Sequence, residues 1–392
     1  MPKALSTVEL LARLVSFDTT SARSNLDLIH FIRDYLDGFG IPSQLIADDS
    51  GAKANLLATI GPADVPGVVL SGHTDVVPAI EEGWTSPPFE LHERDGKLFG
   101  RGTADMKGFI AAVLAQVPAL LSAGLKNPVH FAFSYDEEVG CLGVRKLLPR
   151  LAELPAKPWL CIVGEPTMMR TVIGHKGKVA CETRVRGHAC HSAQAPLGVN
   201  AIEYAAELIT FIRSEAKRIR CDGPFDEAYV IPHTTLNVGP MSGGHATNIV
   251  ADSCTFSWEI RHLPDQDPQV LIDRIRAYAA ERLEPQMTAI APETGFAINE
   301  TNAYPGLDMN ANDKAVSFLS QLTGQNSIGK VDFGTEGGFF QKSAGIPALV
   351  CGPGDIADAH KRDEFVALDQ LKAADAFLAK LTERLAKPHP FP

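Results

Sequence analysis

The sequence predicts an α/β protein: a mostly parallel sheet covered by helices on both faces, interrupted by an inserted α+β module. Three observations predict it. Strand-like and helix-like stretches alternate over residues 1–177, the texture changes over 178–301, and the alternation resumes over 302–392. The inserted stretch reads as strand, helix, strand, strand, helix, the order of a split βαβ (ferredoxin-like) module. A chain of 392 residues also exceeds the roughly 250–300 over which one hydrophobic core grows, so two domains are expected on length alone.

Each element follows from its residues. MPKALSTVELLARL is apolar at helical spacing with Glu9 and Arg13 inside it, unlike the unbroken apolar core of a signal peptide. Leu26, Ile29, Ile32, Leu36 and Phe39 keep an i, i+3, i+4 rhythm that stops at Gly38 and Gly40, the mark of an amphipathic helix. Apolar runs at 55–60 and 68–70 read as strands, and 91–99 carries Asp95-Gly96 between two extended arms, a hairpin signal. Asp105 stands where an N-cap belongs, ahead of a helix over 109–121. Residues 129–135 and 160–163 supply further strands. Inside the module, KVACETRV precedes a helix over 201–220. TTLNVGP and CTFSWEIRHL are two strands, and a second helix covers about 269–283. Apolar runs resume at 315–319 and 348–351, and a helix over 368–385 closes the chain.

Composition narrows the function. A net charge of −11 repels phosphate backbones and anionic membrane surfaces, so neither nucleic acid nor a membrane is an expected partner. No apolar run reaches the roughly 20 residues of a bilayer span. Seven cysteines, odd in number and without C-x-x-C, suggest neither a disulfide framework nor a thiolate zinc site, and the expected compartment is the cytoplasm.

The potential metal ligands fall in a pattern. His73 and Asp75 follow VVLSG, Glu137 and Glu138 follow VHFAFSYD, Glu165 follows LCIVG, and His360 follows ALVC in CGPGDIADAH. Each group emerges just past a predicted strand, where ligands of open α/β sheets bind. Asp105 in GRGTADMKG joins them. Two imidazoles and several carboxylates, with no thiolate, suit zinc, cobalt or manganese at a hydrolytic site. Five candidate ligands suggest two ions about 3.5–4 Å apart, sharing a carboxylate and an acidified water. Asp75, two residues from His73 on an extended chain, is placed to orient the imidazole. If the segment after VHFAFSYD stays extended, Glu137 and Glu138 point in different directions, and one can bind metal while the other serves as base.

SGHTDVVP, GRGTADMKG, SYDEEVG, VGEPT and AHKRDE resemble, in order, the metal motifs of the M20 family of dinuclear zinc peptidases and deacylases. The resemblance implies two Zn2+ per subunit, with Co2+ able to substitute. It implies His73 and Glu165 on one ion, Glu138 and His360 on the other, Asp105 bridging and Glu137 as general base. It implies that the inserted module is a lid through which the chain forms a homodimer, with His191 reaching the partner's site. Arg261, Asn248 and Thr335 become substrate contacts, Arg261 holding a carboxylate. GHKGKV, HSAQAPLGVNAIEYA, GTEGGFFQ and CGPG resemble the family branch that deacetylates N2-acetyl-L-ornithine to acetate and L-ornithine in arginine biosynthesis, so the expected substrate is a small N-acyl amino acid. Glu336 and Asp355 are candidates for the ornithine ammonium.

Other readings compete. Another deacylase or dipeptidase of the family, such as a succinyl-diaminopimelate desuccinylase, shares the ligand set. A catalytically silent amino-acid or metal binder would not need Glu137. GQNSIGKV fits G-x-x-x-x-G-K but has Val331 where a phosphate-binding loop needs Ser or Thr, and no G-x-S-x-G elbow is present.

Overall fold

The computed structural model of the chain describes residues 3–79 and 82–392; the first two residues of the N-terminal stretch lie outside it. Its strands are β1 (Ser43–Ala47), β2 (Ala54–Ile60), β3 (Val68–His73), β4 (His92–Arg94), β5 (Lys97–Phe99), β6 (Val129–Ser134), β7 (Leu160–Val163) and β8 (Thr171–His175). They continue with β9 (Gly177–Arg186), β10 (Thr235–Gly243), β11 (Ser253–His262), β12 (Gly295–Tyr304), β13 (Leu307–Asp308), β14 (Ile328–Val331), β15 (Ala348–Val350) and β16 (Phe365–Ala367). The chain divides into two compact units. One comprises residues 1–175, 307–330 and 335–392, and the other 176–306 and 331–334.

In the first unit the sheet order is β1-β2-β6-β3-β7-β15-β8-β13, with β14 on β8. The pairs β6-β3, β3-β7 and β7-β15 are parallel. The flanks are antiparallel, from β2 outward and again from β8 outward. The central strands β3, β6 and β7 are buried at every residue, as strands covered on both faces must be, which is why they read as apolar runs without alternation. The N-terminal helix Thr7–Val15 opens with a full capping box, the Ser6 side chain accepting from Glu9 N and Glu9 reaching back to Ser6 N. Asp95 and Gly96 both have positive φ between β4 and β5, as a two-residue hairpin turn of this hand demands.

The structure corrects the expected helix over 109–121. It is two helices, Gly108–Ala115 and Val117–Ser122, because Pro118 occupies the first turn of the second and cannot continue the hydrogen-bond ladder of the first. The whole stretch Thr103–Ser122 is long and apolar enough by composition to cross a membrane, contrary to the sequence expectation, and 72% of its apolar window is buried inside the protein. Asp105 is not an N-cap. It lies in a π turn, Thr103–Lys107, and no side chain caps the helix that follows.

The second unit is a four-stranded antiparallel sheet in the order β10-β11-β9-β12. With helices Ala201–Asp222 and Gln269–Tyr278 it completes a β-α-β-β-α-β arrangement. Strict alternation along β9 and β11 turns Val179, Cys181, Val185, Cys254, Phe256, Trp258 and Ile260 onto the helices' Leu208, Ile212, Ile272 and Ile275. Asn200 caps the long helix by accepting from Ile202 N and Glu203 N, and Gly223, at φ +74°, ends it. The last strand, β12, was not legible because GFAINETNAY is a polar edge with little apolar alternation. The second helix stops at Tyr278 and passes into a π turn over Ala279–Leu283.

Candidate active site

Register places the site. His73 of β3 lies opposite Ser134 of β6, and Val163 of β7 opposite Ser71, so the parallel strands release their chains at one edge of the sheet. His73 is the last residue of β3, Glu137 and Glu138 follow β6, and Glu165 follows β7 by two residues. His360 arrives on the loop after β15 with φ +59°, a left-handed backbone rare outside glycine and concentrated at functional sites.

Asp105 is central. Its Oδ1 is 2.8 Å from His73 Nε2 and its Oδ2 is 3.1 Å from His360 Nε2. Glu165 Oε1 is 3.9 Å from His73 Nε2, and Glu138 Oε1 is 3.0 Å from His360 Nε2. Two trios, His73–Glu137–Glu165 and His73–Asp105–Glu138, each hold donor atoms within 4.8 Å of one another. His73, Asp105 and Glu165 are buried, Glu137 and Glu138 half-buried, and His360 exposed.

The turn carrying the two glutamates corrects the expectation of extended chain. Asp136 and Cys141 have φ near +55°, and the amides of Gly140 and Cys141 both donate to Glu137 O, at 2.8 Å. Lys53 Nζ grips both carboxylate oxygens of Asp136. Asp75 approaches the His73 ring with both its carbonyl and its carboxylate. His73 Nδ1 lies 2.9 Å from the Asp75 carbonyl oxygen and 3.6 Å from its carboxylate. That carboxylate also accepts from the Ser21 hydroxyl at 2.7 Å and from the amides of Glu137 and Glu138 at 3.0 and 3.2 Å.

Carboxylates outnumber the positive charges here. Burial pushes the Glu137 carboxyl up to about 8, with the charges of Glu138, Asp105 and Glu336 adding to it against the pull of His73. Burial likewise holds Glu165 well above the usual carboxylate range and Glu336 at about 7. Hydrogen bonds to Asp105 and Glu138 push His360 up to about 10. Burial opposes charge on Asp105, yet hydrogen bonds from His360 and His73 hold its carboxyl below the usual range. Imidazoles and converging carboxylates, short of positive charge, form a donor set that fits divalent ions of the zinc class.

Thr335 is buried in the first unit, its hydroxyl accepting from Gly337 N. His191, Asn248 and Arg261 belong to the second unit. His191 is exposed and its Nδ1 accepts from Ala193 N, while Ser192 N donates to Asn248 O. Arg261 pairs with Glu259 and donates to the Tyr304 hydroxyl. Ser21, Lys53, Arg101 and Glu364 escaped sequence reasoning. Arg101 and Glu364 sit inside the motifs GRGTADMKG and AHKRDE, but nothing along the chain pairs one with the other.

Comparison with known proteins agrees with this architecture. The pattern of Peptidase family M20/M25/M40 matches residues 69–384. The chain is 34% identical over 386 residues to the acetylornithine deacetylase of Proteus mirabilis (strain HI4320), covering 96% of each chain. It is 35% identical over 375 residues to the acetylornithine deacetylase of Myxococcus xanthus, covering 94% of this chain and 95% of that one. The fold is that of the M20 family metallo-carboxypeptidase Sso-CP2 from Sulfolobus solfataricus, with a TM-score of 0.75, 17% identity and all of both chains covered. The chain belongs to Peptidase family M20/M25/M40 and is a hydrolase.

Proposed function

We propose that this chain is a two-metal amidohydrolase that cleaves N2-acetyl-L-ornithine to acetate and L-ornithine. The observation that carries the reaction class is Asp105, whose two carboxylate oxygens face two different imidazoles, as a ligand shared by two ions must. The substrate rests on the activity named for the relatives, which match this chain over nearly its whole length.

In this reading His73 and Glu165 would hold one ion, Glu138 and His360 the other, and Asp105 would be shared between them. Zinc held there, or cobalt in its place, would supply a Lewis acid for the acetyl carbonyl and for the attacking water. Glu137 takes the water's proton and returns it to the leaving amine, so the C–N bond breaks as a neutral amine departs. Asp75 fixes the amides of both glutamates and, through its carbonyl, the His73 ring. His191, from the second subunit of a homodimer, donates to the carbonyl oxygen as it gains charge. Arg261, Asn248 and Thr335 bind the amino acid, Arg261 exchanging Glu259 for the substrate carboxylate. The cytoplasm suits a step that supplies ornithine for arginine.

A substrate panel tests the proposal. Initial rates on N2-acetyl-L-ornithine, N-succinyl-diaminopimelate and dipeptides should give the highest kcat/KM for the first. Exhaustive chelation should abolish hydrolysis, and zinc or cobalt should restore it. A preference for a dipeptide replaces the substrate; full activity in metal-free protein removes the two-metal reading.

A further inference from the structure

We propose that Glu364, held by Arg101, is a positioning residue that sets the orientation of Asp105 and thereby the affinity of the site for its ions. The inference rests on the proposed reading of Asp105 as a shared ligand. Glu364 and Arg101 are each only 1% exposed. Glu364 Oε1 accepts two successive backbone amides, Ala104 N at 3.0 Å and Asp105 N at 3.1 Å, while Oε2 accepts from Arg101 Nη1 at 2.7 Å. Two amides converging on one oxygen orient the peptide planes on either side of Ala104, and the direction of the Asp105 side chain follows from that plane.

The same carboxylate joins two ligand segments. Glu364 lies four residues after His360, and its carbonyl accepts from Gly100 N at 2.9 Å just before β16 pairs with β5, Phe365 opposite Phe99. The loop bearing His360 and the π turn bearing Asp105 are therefore tied at backbone and side chain together. Arg101 is locked in turn, donating to Pro78 O at 3.3 Å with its guanidinium 5.1 Å from the Trp84 ring. A buried ion pair adds little net stability over an apolar pair of the same volume, so its use here points to geometry. The catalytic reading does not need Glu364 to touch substrate; it needs Asp105 to keep one oxygen toward each imidazole.

The test compares two double variants, Arg101→Met with Glu364→Gln and Arg101→Met with Glu364→Ala. Both remove the buried charges together, so neither leaves one unpaired; they differ in whether an acceptor remains for the Ala104 and Asp105 amides and in side-chain volume, whose cost the unfolding measurements read separately. Metal-free proteins are titrated with zinc against a chromophoric chelator, with circular dichroism and thermal unfolding to compare their folding. The Glu364→Gln pair should stay near wild-type zinc affinity, and the Glu364→Ala pair should bind about 10- to 100-fold more weakly, the usual effect of losing a partner that orients a ligand. In kinetics the Glu364→Ala pair should lose kcat more than KM, and the Gln should restore it. Equal, wild-type zinc affinity in the two folded variants overturns this inference and leaves the two-metal reading standing. A wild-type protein that takes up no zinc overturns both.

Discussion

Asp75 accepts three hydrogen bonds, from the Ser21 hydroxyl and from the amides of Glu137 and Glu138, so one buried carboxylate fixes where both glutamates leave the sheet. The tight turn they occupy makes them unlike in surroundings although they are adjacent in sequence. Glu138 bonds His360, while Glu137 lies within reach of His73 and Glu165 and accepts the Cys141 thiol at 3.3 Å. Under the proposed mechanism, Glu137→Ala should lower turnover by roughly 10² to 10⁴ while elemental analysis still finds its metal. Glu138→Ala should lose metal as well as activity. Reversed metal contents would exchange the two roles.

At the scale of elements, close packing and one buried charge do the placing. Gly164, between β7 and Glu165, has no room for a side chain, because a Cβ there would stand 2.0 Å from the Phe109 ring. The helix Gly108–Ala115 thus lies directly against the backbone from which Glu165 emerges. In the second unit, Glu215 of the helix Ala201–Asp222 takes two hydrogen bonds from Arg274 of the helix Gln269–Tyr278, at 3.0 and 2.9 Å, and two from Arg218. Burial alone would raise its pKa, but the two arginines overcome that and hold it below the usual glutamate value. A carboxyl lowered by folding stabilises the native state fully above its unfolded pKa and loses that contribution as pH falls through the folded one. Glu215→Gln should therefore cost about 1–2 kcal/mol of unfolding free energy at neutral pH, with the gap to wild type closing below about pH 4. Urea titrations at pH 7 and pH 3.5 check it, and a gap of the same size at both refutes the ion-pair account.

At the scale of the molecule, the proposal requires two copies of the chain, because His191 belongs to the second unit and is assigned to the partner's site. His191→Ala should reduce kcat by roughly 10² to 10³ with both metals retained, as loss of one oxyanion donor does, and change KM less. Mixing His191→Ala with Glu137→Ala under conditions that exchange subunits should regenerate activity, since a mixed dimer contains one site with its own Glu137 and the partner's His191. Verified exchange without recovery assigns His191 to its own chain or to no catalytic role.

The sequence by itself determined the alternating strand and helix order, the apolar central strands and the residues that emerge past strand ends, because each depends on local periodicity or on a motif a few residues long. His73, Glu138, Glu165 and His360 were marked that way and Asp105 joined them through GRGTADMKG, and the fold brings the five together. Tertiary structure decided the rest. The antiparallel flanks of the sheet, and β12 as the fourth strand of the second unit, depend on which partner a strand meets, which its own residues do not encode. Asp105 looked like a helix cap because an acid before an apolar run is one locally; only His73, 32 positions before it, and Glu364, 259 positions after it, make it something else. Asp75 reached its partners at Glu137 and Glu138 in the same way, across 62 and 63 positions of sequence. Such contacts are set by register between parallel strands, and that register exists only once the sheet has formed.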